Sequence, residues 1–189
     1  ANVECKPAHL AQFAVLGNTY ATEVQGKTQP RVGLLNVGSE DVKGTEMIRE
    51  AHQLCRGLNL NFVGNLEGRD LFSNHADVVV TDGFVGNIVL KTTEGLAAGL
   101  FGWLREAMEE NPKRQLGAFL TKNAFRSIQE RHDPDILGGA PLLGLRQPVI
   151  IAHGNARAAA IAKALAQAAT AVSQKLTQRI AAATEALNS

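Results

Sequence analysis

The chain has no excess of either charge. Of 189 residues, 19 are Lys or Arg and 18 are Asp or Glu, for a net charge of +1. That excludes the concentrated basic surface a nucleic-acid binder needs. Cysteine is nearly absent: Cys5 and Cys55 are too few for a disulfide framework, and no His or Cys stands at metal-ligand spacing around them. No metal site is expected, and reduced thiols in the cytoplasm are the simpler reading. No apolar run reaches the roughly 18 residues of a membrane span, and no signal peptide is visible. The common catalytic signatures are also missing. G-x-x-x-x-G-K-S/T, G-x-G-x-x-G, G-x-S-x-G and H-E-x-x-H do not occur, so P-loop, dinucleotide, serine-nucleophile and zinc-hydrolase chemistries have no support.

Hydrophobic residues make up 45% of the chain, enough to fill the core of one large domain. The most informative stretch is Asp77–Asn87. Val78, Val79 and Val80 have the composition of a buried strand. Thr81, Asp82 and Gly83 form a polar break, and from Gly86 an apolar, helix-length segment begins. Asp82 therefore falls at the carboxyl end of a strand and the Gly83–Asn87 amides at a helix N-terminus. Open α/β sheets bind ligands at such places, and exposed helix-opening amides favour anions. The competing structural role for Asp82 is to cap that helix.

The rest of the chain repeats the alternation. Helical spacing runs over Ala8–Gln25. A buried strand is expected at Val32–Asn36, a helix at Lys43–Cys55, and a strand at Leu58–Val63 followed by a Gly64–Gly68 loop. A short helical turn precedes Asp77. Strands separated by helices predict an α/β fold with a parallel-rich sheet and flanking helices. The loops Asn36–Gly38, Gly64–Gly68 and Asp82–Asn87 then share one edge and make a composite site. Residues 88–131 differ. Leu96, Leu100, Phe101, Trp103, Leu104 and Met108 load one helix, Asn111-Pro112 breaks it, and Leu116, Phe119, Leu120, Phe125 and Ile128 load a second. This apolar helical hairpin reads as a buried pair, a subunit interface or a membrane-surface contact. Pro148–Ala152 reads as a further buried strand ending in His153-Gly154-Asn155. Ala156–Leu187, without Pro or Gly, reads as one long helix. His153, after a buried strand, serves equally well as a structural histidine, and Lys91 as a solvated one.

Several blocks in this order carry a resemblance: Arg31-Val-Gly-Leu-Leu-Asn-Val-Gly38, Lys43-Gly-Thr-Glu46, Asn61–Asp70, Ala76–Lys91 and Gly138-Gly-Ala-Pro-Leu-Leu-Gly144. Together they resemble the PlsX family, the bacterial phosphate acyltransferases of phospholipid synthesis. The resemblance implies transfer of a fatty acyl group from acyl carrier protein to inorganic phosphate, without a cofactor. It implies an isocitrate/isopropylmalate dehydrogenase-like fold with the hairpin projecting, a homodimer, and a cytoplasmic protein peripherally attached to membrane. The family polypeptide is longer. Residues 1–189 correspond to its C-terminal part, and the chain, which opens without Met, is expected to be inactive alone.

Under that resemblance the site residues take roles. Asp82, Asn87 and His153 are the catalytic candidates: Asp82 to accept a phosphate proton or orient a donor, Asn87 to donate an amide hydrogen bond, His153 to protonate the leaving thiolate. Asn36, Gly38, Glu67, Gly68, Gly83, Gly86 and Lys91 are candidates for holding phosphate or the developing oxyanion. Lys113, Arg114, Lys122 and Arg126, with Arg105 nearby, would meet the acidic carrier protein or anionic lipid. The rival readings are a short-chain phosphate acyltransferase using acyl-CoA, a non-catalytic dimerisation or membrane-docking module, and, on fold grounds alone, a dehydrogenase.

Overall fold

The structure, a computed structural model, describes residues 2–131, 138–154 and 156–185. Pro7 opens helix α1 (Pro7–Glu23), at a position where its missing amide costs nothing. Strand β1 (Arg31–Leu35) follows and becomes the centre of a three-stranded sheet. β2 (Asn61–Leu66) pairs on one side of it and β3 (Val78–Val80) on the other, all parallel. Helix α2 (Glu46–Arg56) makes the crossover between β1 and β2, capped by Thr45, whose hydroxyl accepts from the Ile48 amide. Val32 and Leu34 share one face of β1. They meet Leu10 and Ala14 of α1, Ile48, Ala51 and Cys55 of α2, and Val80, forming the main core.

The opposite face of β1 is tight for another reason. A side chain on Gly33 would come within 2.4 Å of Leu66 Cδ1. Leu66 reaches that notch because the β1–β2 register slips between Val32 and Gly33: Val32 pairs with Phe62 but Gly33 pairs with Gly64, leaving Val63 as a bulge. At the amino edge of the sheet, the Asp77 carboxylate accepts from the Arg31 side chain at 2.9 Å, the Arg31 amide at 2.9 Å and Lys27 at 3.1 Å. These bonds tie the start of β1 to the start of β3.

Beyond β3 run α3 (Gly83–Glu109) and α4 (Pro112–Arg131). The break between them has a local cause. Asn111 Oδ1 accepts from the Arg114 amide, an N-cap, and Pro112 has no amide to continue α3. Arg114 and Gln115 donate back to the Ala107 and Glu109 carbonyls across the junction. No residue of α3 is buried, so the buried-pair reading of this region does not hold. Among the described residues no helix is long and apolar enough to cross a membrane.

The last part departs most from expectation. The strand expected at Pro148–Ala152 shrinks to β5 (Ile150–Ile151), which pairs antiparallel with β4 (Ala140–Pro141) outside the main sheet and leaves Ile151 54% exposed. The single helix expected over Ala156–Leu187 is two, α5 (Ala158–Ser173) and α6 (Leu176–Glu185). Asn155 and residues 186–187 lie outside the described residues. Lys175 breaks the helix in a left-handed conformation at φ 54°, which costs on the order of 1 kcal/mol. The break folds α6 back so that Leu176 and Ile180 are buried against Leu16 and Tyr20 of α1 and Val24 just beyond its end. Burial of two such side chains returns roughly 2 kcal/mol each, so packing outweighs the strain.

Smaller differences have similar causes. Lys43, Gly44 and Thr45 belong to the loop before α2, not to the helix, because Gly44 sits at φ 89° and Thr45 caps. The second strand begins at Asn61, not Leu58. Leu58 and Leu60 are tucked under the core from the turn after α2, so the apolar alternation starts before the strand does.

Candidate functional site

Parallel pairing places the loops after β1, β2 and β3 on one edge of the sheet, and all three reach a common cleft of about 310 Å³. Asn36, Gly44 and Thr45 come from the β1 loop, Gly68 from beyond β2, and Thr81, Asp82 and Val85 from beyond β3. A second cleft of about 460 Å³ shares Thr81 and Asp82 with the first. Its polar rim is Gly83, Gly86 and Asn87, and its walls are apolar: Phe13, Leu16, Val78, Leu90, Leu142 and Leu143. Asp82 thus stands between two clefts that are both walled mainly by apolar side chains, Leu35, Met47 and Ile48 in the smaller, and only the smaller is reached by all three strand-end loops.

Asp82 is only 8% exposed. Its Oδ1 accepts from the Phe84 and Val85 amides, both at 2.9 Å, so it does cap α3. The Gly83 amide donates to the Asn2 carbonyl at 2.7 Å and the Gly86 amide to the Asp82 carbonyl at 2.9 Å. The amides that open α3 are therefore engaged, and an anion would gain the Gly83 amide only by displacing Asn2. With Oδ1 committed to the cap, chemistry toward a ligand falls to Oδ2. Cys5 lies beside this turn and donates to the Asn2 carbonyl at 3.2 Å. Burial, with the Asp82 charge adding to it, pushes the Cys5 thiol up, which keeps it protonated and a poor nucleophile.

The β1 loop is braced from inside. Asn36 Oδ1 accepts from the Val37 amide at 2.8 Å and its Nδ2 donates to the Lys43 carbonyl at 3.1 Å, closing the loop on itself. A side chain on Gly44 would come within 2.2 Å of Asn36 Oδ1, so only glycine fits. Gly38 is buried in the same loop, where an added side chain would press on the Glu40 carboxylate at 2.9 Å. Beneath the loop lies a buried polar pair the sequence reading missed. His52 of α2 and Asn65 of β2 meet at 3.1 Å through His52 Nδ1 and Asn65 Oδ1. The available signal was the position of His52 on the same helical face as Ile48, Ala51 and Cys55, where a polar ring needs partners.

The remaining candidates separate. Glu67 is half-buried, pairs with Arg69 at 3.1 Å and opens the 3₁₀ turn at Gly68–Phe72, supporting the cleft without lining it. Lys91, about 12 Å along α3 from its start, pairs with Glu94 at 2.8 Å. Lys91 holds the Glu94 carboxyl below its ordinary range, and His153 adds to the effect, so His153 is in electrostatic range of this turn. Neither Lys91 nor His153 lines either cleft. Lys113, Arg114, Lys122 and Arg126 are exposed on α4, with Arg114 paired to Glu110. At 100° per residue they are spread around the helix, not along one stripe. Among the described residues no three His, Cys, Asp or Glu side chains gather to hold a metal ion. A roomier cleft of about 530 Å³ lies between α1, Arg146 and α6, and no strand-end loop reaches it.

A family model described as "Fatty acid synthesis protein" matches residues 1–179. Among curated proteins, a "Phosphate acyltransferase" of Lysinibacillus sphaericus (strain C3-41) is 48% identical over 172 residues, covering 91% of this chain and 52% of the relative. Proteins of the same name from Syntrophotalea carbinolica and Bacillus subtilis (strain 168) are 46% and 45% identical, over 96% and 93% of this chain and 52% and 53% of their own lengths. The chain spans about half the length of the curated relatives it matches.

Proposed function

The chain belongs to the fatty acid synthesis protein family, and from that premise we propose that it forms the C-terminal part of a phosphate acyltransferase moving a fatty acyl group from acyl carrier protein to inorganic phosphate. The observation that carries the reading is the convergence of three strand-end loops on Asp82, which lines both the smaller and the larger cleft. Phosphate occupies the smaller cleft, beside the Asn36, Thr45, Thr81 and Asp82 side chains, and the acyl chain the larger one. A phosphate oxygen attacks the thioester carbonyl carbon, the C–O bond forms, the tetrahedral oxyanion collapses, and the C–S bond breaks. The proton that phosphate gives up goes to Asp82 Oδ2, and the departing thiolate takes one from His153. Asn36 and Asn87 donate hydrogen bonds without adding charge, and the Gly83 amide joins them once Asn2 withdraws. Lys91 adds positive charge by exchanging Glu94 for the anion.

The acidic carrier meets Lys113, Arg114, Lys122 and Arg126 on α4. The exposed apolar side chains of α3 and α4 serve a homodimer contact and peripheral attachment of a cytoplasmic protein to membrane. The same exposure disfavours a short-chain enzyme acting on acyl-CoA, whose soluble substrate requires no such surface. The sheet belongs to the isocitrate/isopropylmalate dehydrogenase-like class on this reading. The engaged α3 amides favour a second reading for the chain by itself, a docking module without turnover.

The deciding experiment assays the full-length polypeptide for acyl phosphate with acyl carrier protein and CoA thioesters compared. Acyl phosphate formed from the carrier thioester, and lost in Asp82→Asn while the fold is kept, is expected. Formation from CoA thioesters alone sinks the carrier reading, and normal turnover in Asp82→Asn sinks the role of Asp82.

A further inference from the structure

The loop Asn36–Thr45 lines the smaller cleft only at its two ends, through Asn36, Val37, Gly44 and Thr45. Its middle is held from below. Asn65 Nδ2 donates to the Glu40 carbonyl at 3.0 Å. That bond orients the amide so that Oδ1 faces His52 Nδ1 at 3.1 Å, which assigns the ring proton to Nδ1. The other ring nitrogen, Nε2, lies 3.4 Å from Asp41 Oδ1 with no proton to donate in that tautomer, and Asp41 is held instead by Arg56, one turn on in α2, through Oδ2 at 3.1 Å. The ring is packed edge-on to Phe62, with centroids 5.1 Å apart at 76°. His52 is 2% exposed and Asn65 7%.

This chain of contacts joins β2, α2 and two successive residues of the β1 loop. A histidine that was merely satisfied in the core would need one partner on a neighbouring element. Here the Asn65 amide relays the His52 contact to the Glu40 carbonyl of the loop, Arg56 of the same helix holds the next residue, Asp41, and the Lys43 amide closes on the Glu40 carbonyl at 3.1 Å. Because buried polar groups hold their geometry only while every member is paired, the strut fixes the loop middle and, through it, the spacing of Asn36 and Gly44 at the cleft.

We propose that His52 and Asn65 are positioning residues that set the β1 loop for phosphate, acting through the Glu40–Asp41 turn without touching the ligand. This rests on the reading that the smaller cleft takes phosphate. The test uses the full-length polypeptide and inorganic phosphate. His52→Leu and Asn65→Leu are expected to raise KM for phosphate about tenfold, leave KM for the acyl donor within about twofold, and quicken amide exchange at residues 40–43. His52→Asn, which keeps a donor near the Nδ1 position, is expected to recover most of the loss. Where a leucine variant fails to fold, Asp41→Ala, which releases Arg56 at the exposed end of the strut, is expected to raise KM for phosphate about twofold to threefold. A phosphate KM unchanged despite faster loop exchange, or an equal rise in both KM values, overturns the proposal. If the wild-type polypeptide makes no acyl phosphate, the phosphate reading fails. The strut is then decided by exchange alone, and unchanged protection at residues 40–43 in Asn65→Leu overturns it.

Discussion

The sheet with α1 and α2 and the pair α3–α4 carry similar apolar side chains and treat them oppositely. Leu10, Val32 and Leu34 are fully enclosed, whereas Trp103 is 63% exposed and Phe119 74%. The difference begins in the pattern. α2 alternates an apolar stripe of Ile48, Ala51 and Cys55 with charged residues, so one face suffices to bury it. α3 carries Leu96, Leu100, Phe101, Trp103 and Leu104 over an arc of about 160°, and among the described residues nothing buries them: Phe101 and Leu104 are partly covered, the other three more than half exposed. The first region owes its order to packing. The second owes its to helix propensity and caps, and its apolar surface is available to something else.

That contrast can be broken most sharply in the core. Leu34→Ala is expected to lower the unfolding free energy by about 3 kcal/mol, read by denaturant titration of the chain. A loss below about 1 kcal/mol would mean the sheet is not the packed unit described. Next comes the join between the two regions. Asp82→Ala removes the cap of α3 and is expected to cost about 1 kcal/mol, while Asp82→Asn, which keeps an acceptor at Oδ1, stays near wild type in stability. If both variants lose stability equally, the carboxylate charge and not the cap joins the regions.

Asp77 sharpens the comparison through pH. The Arg31 side chain first, then the Arg31 amide and Lys27, hold its carboxyl well below the ordinary Asp range. A depressed folded-state value contributes stability present above the unfolded-state value and lost as pH falls through the folded one. Asp77→Asn is therefore expected to be less stable than wild type at neutral pH, with the gap closing in acid below the ordinary carboxylate range. A gap constant with pH would assign the loss to packing. The smallest effect is expected at the other extreme: Phe119→Ala should change stability by less than about 0.5 kcal/mol. A core-sized loss there would show that α3 and α4 bury more than their surfaces indicate.

The parallel sheet and its ligand edge were legible because β1 and β3 are short, β-branched or leucine-rich runs ended by polar turns, and such runs leave few alternatives. Asn36, Gly68 and Asp82 followed from the same logic and do meet at one cleft. What escaped was whatever depended on distant partners. The fold-back at Lys175 is driven by burial of Leu176 and Ile180 on α1, some 160 residues earlier in the chain, and no local breaker announces it. Pro148–Ala152 has strand composition, but its pairing partner is the two-residue segment Ala140–Pro141, which supports neither length nor burial. The engagement of the Gly83 amide depends on Asn2, again remote in sequence.

The slip at Val63 acts as a change of parity. In an unbroken strand, residues of one face are separated by even intervals. Phe62 and Asn65 are three apart, yet they pair with Val32 and Leu34, which share a face. One supernumerary residue converts an odd interval into an even one, bringing the Asn65 amide to the His52 side and sending Leu66 to the Gly33 notch. Removing Val63 would leave the same pairs in a regular strand with its faces unchanged, whereas a regular strand that kept Val63 would exchange the faces of everything beyond it. The irregular strand is thus the one that counts correctly for the site.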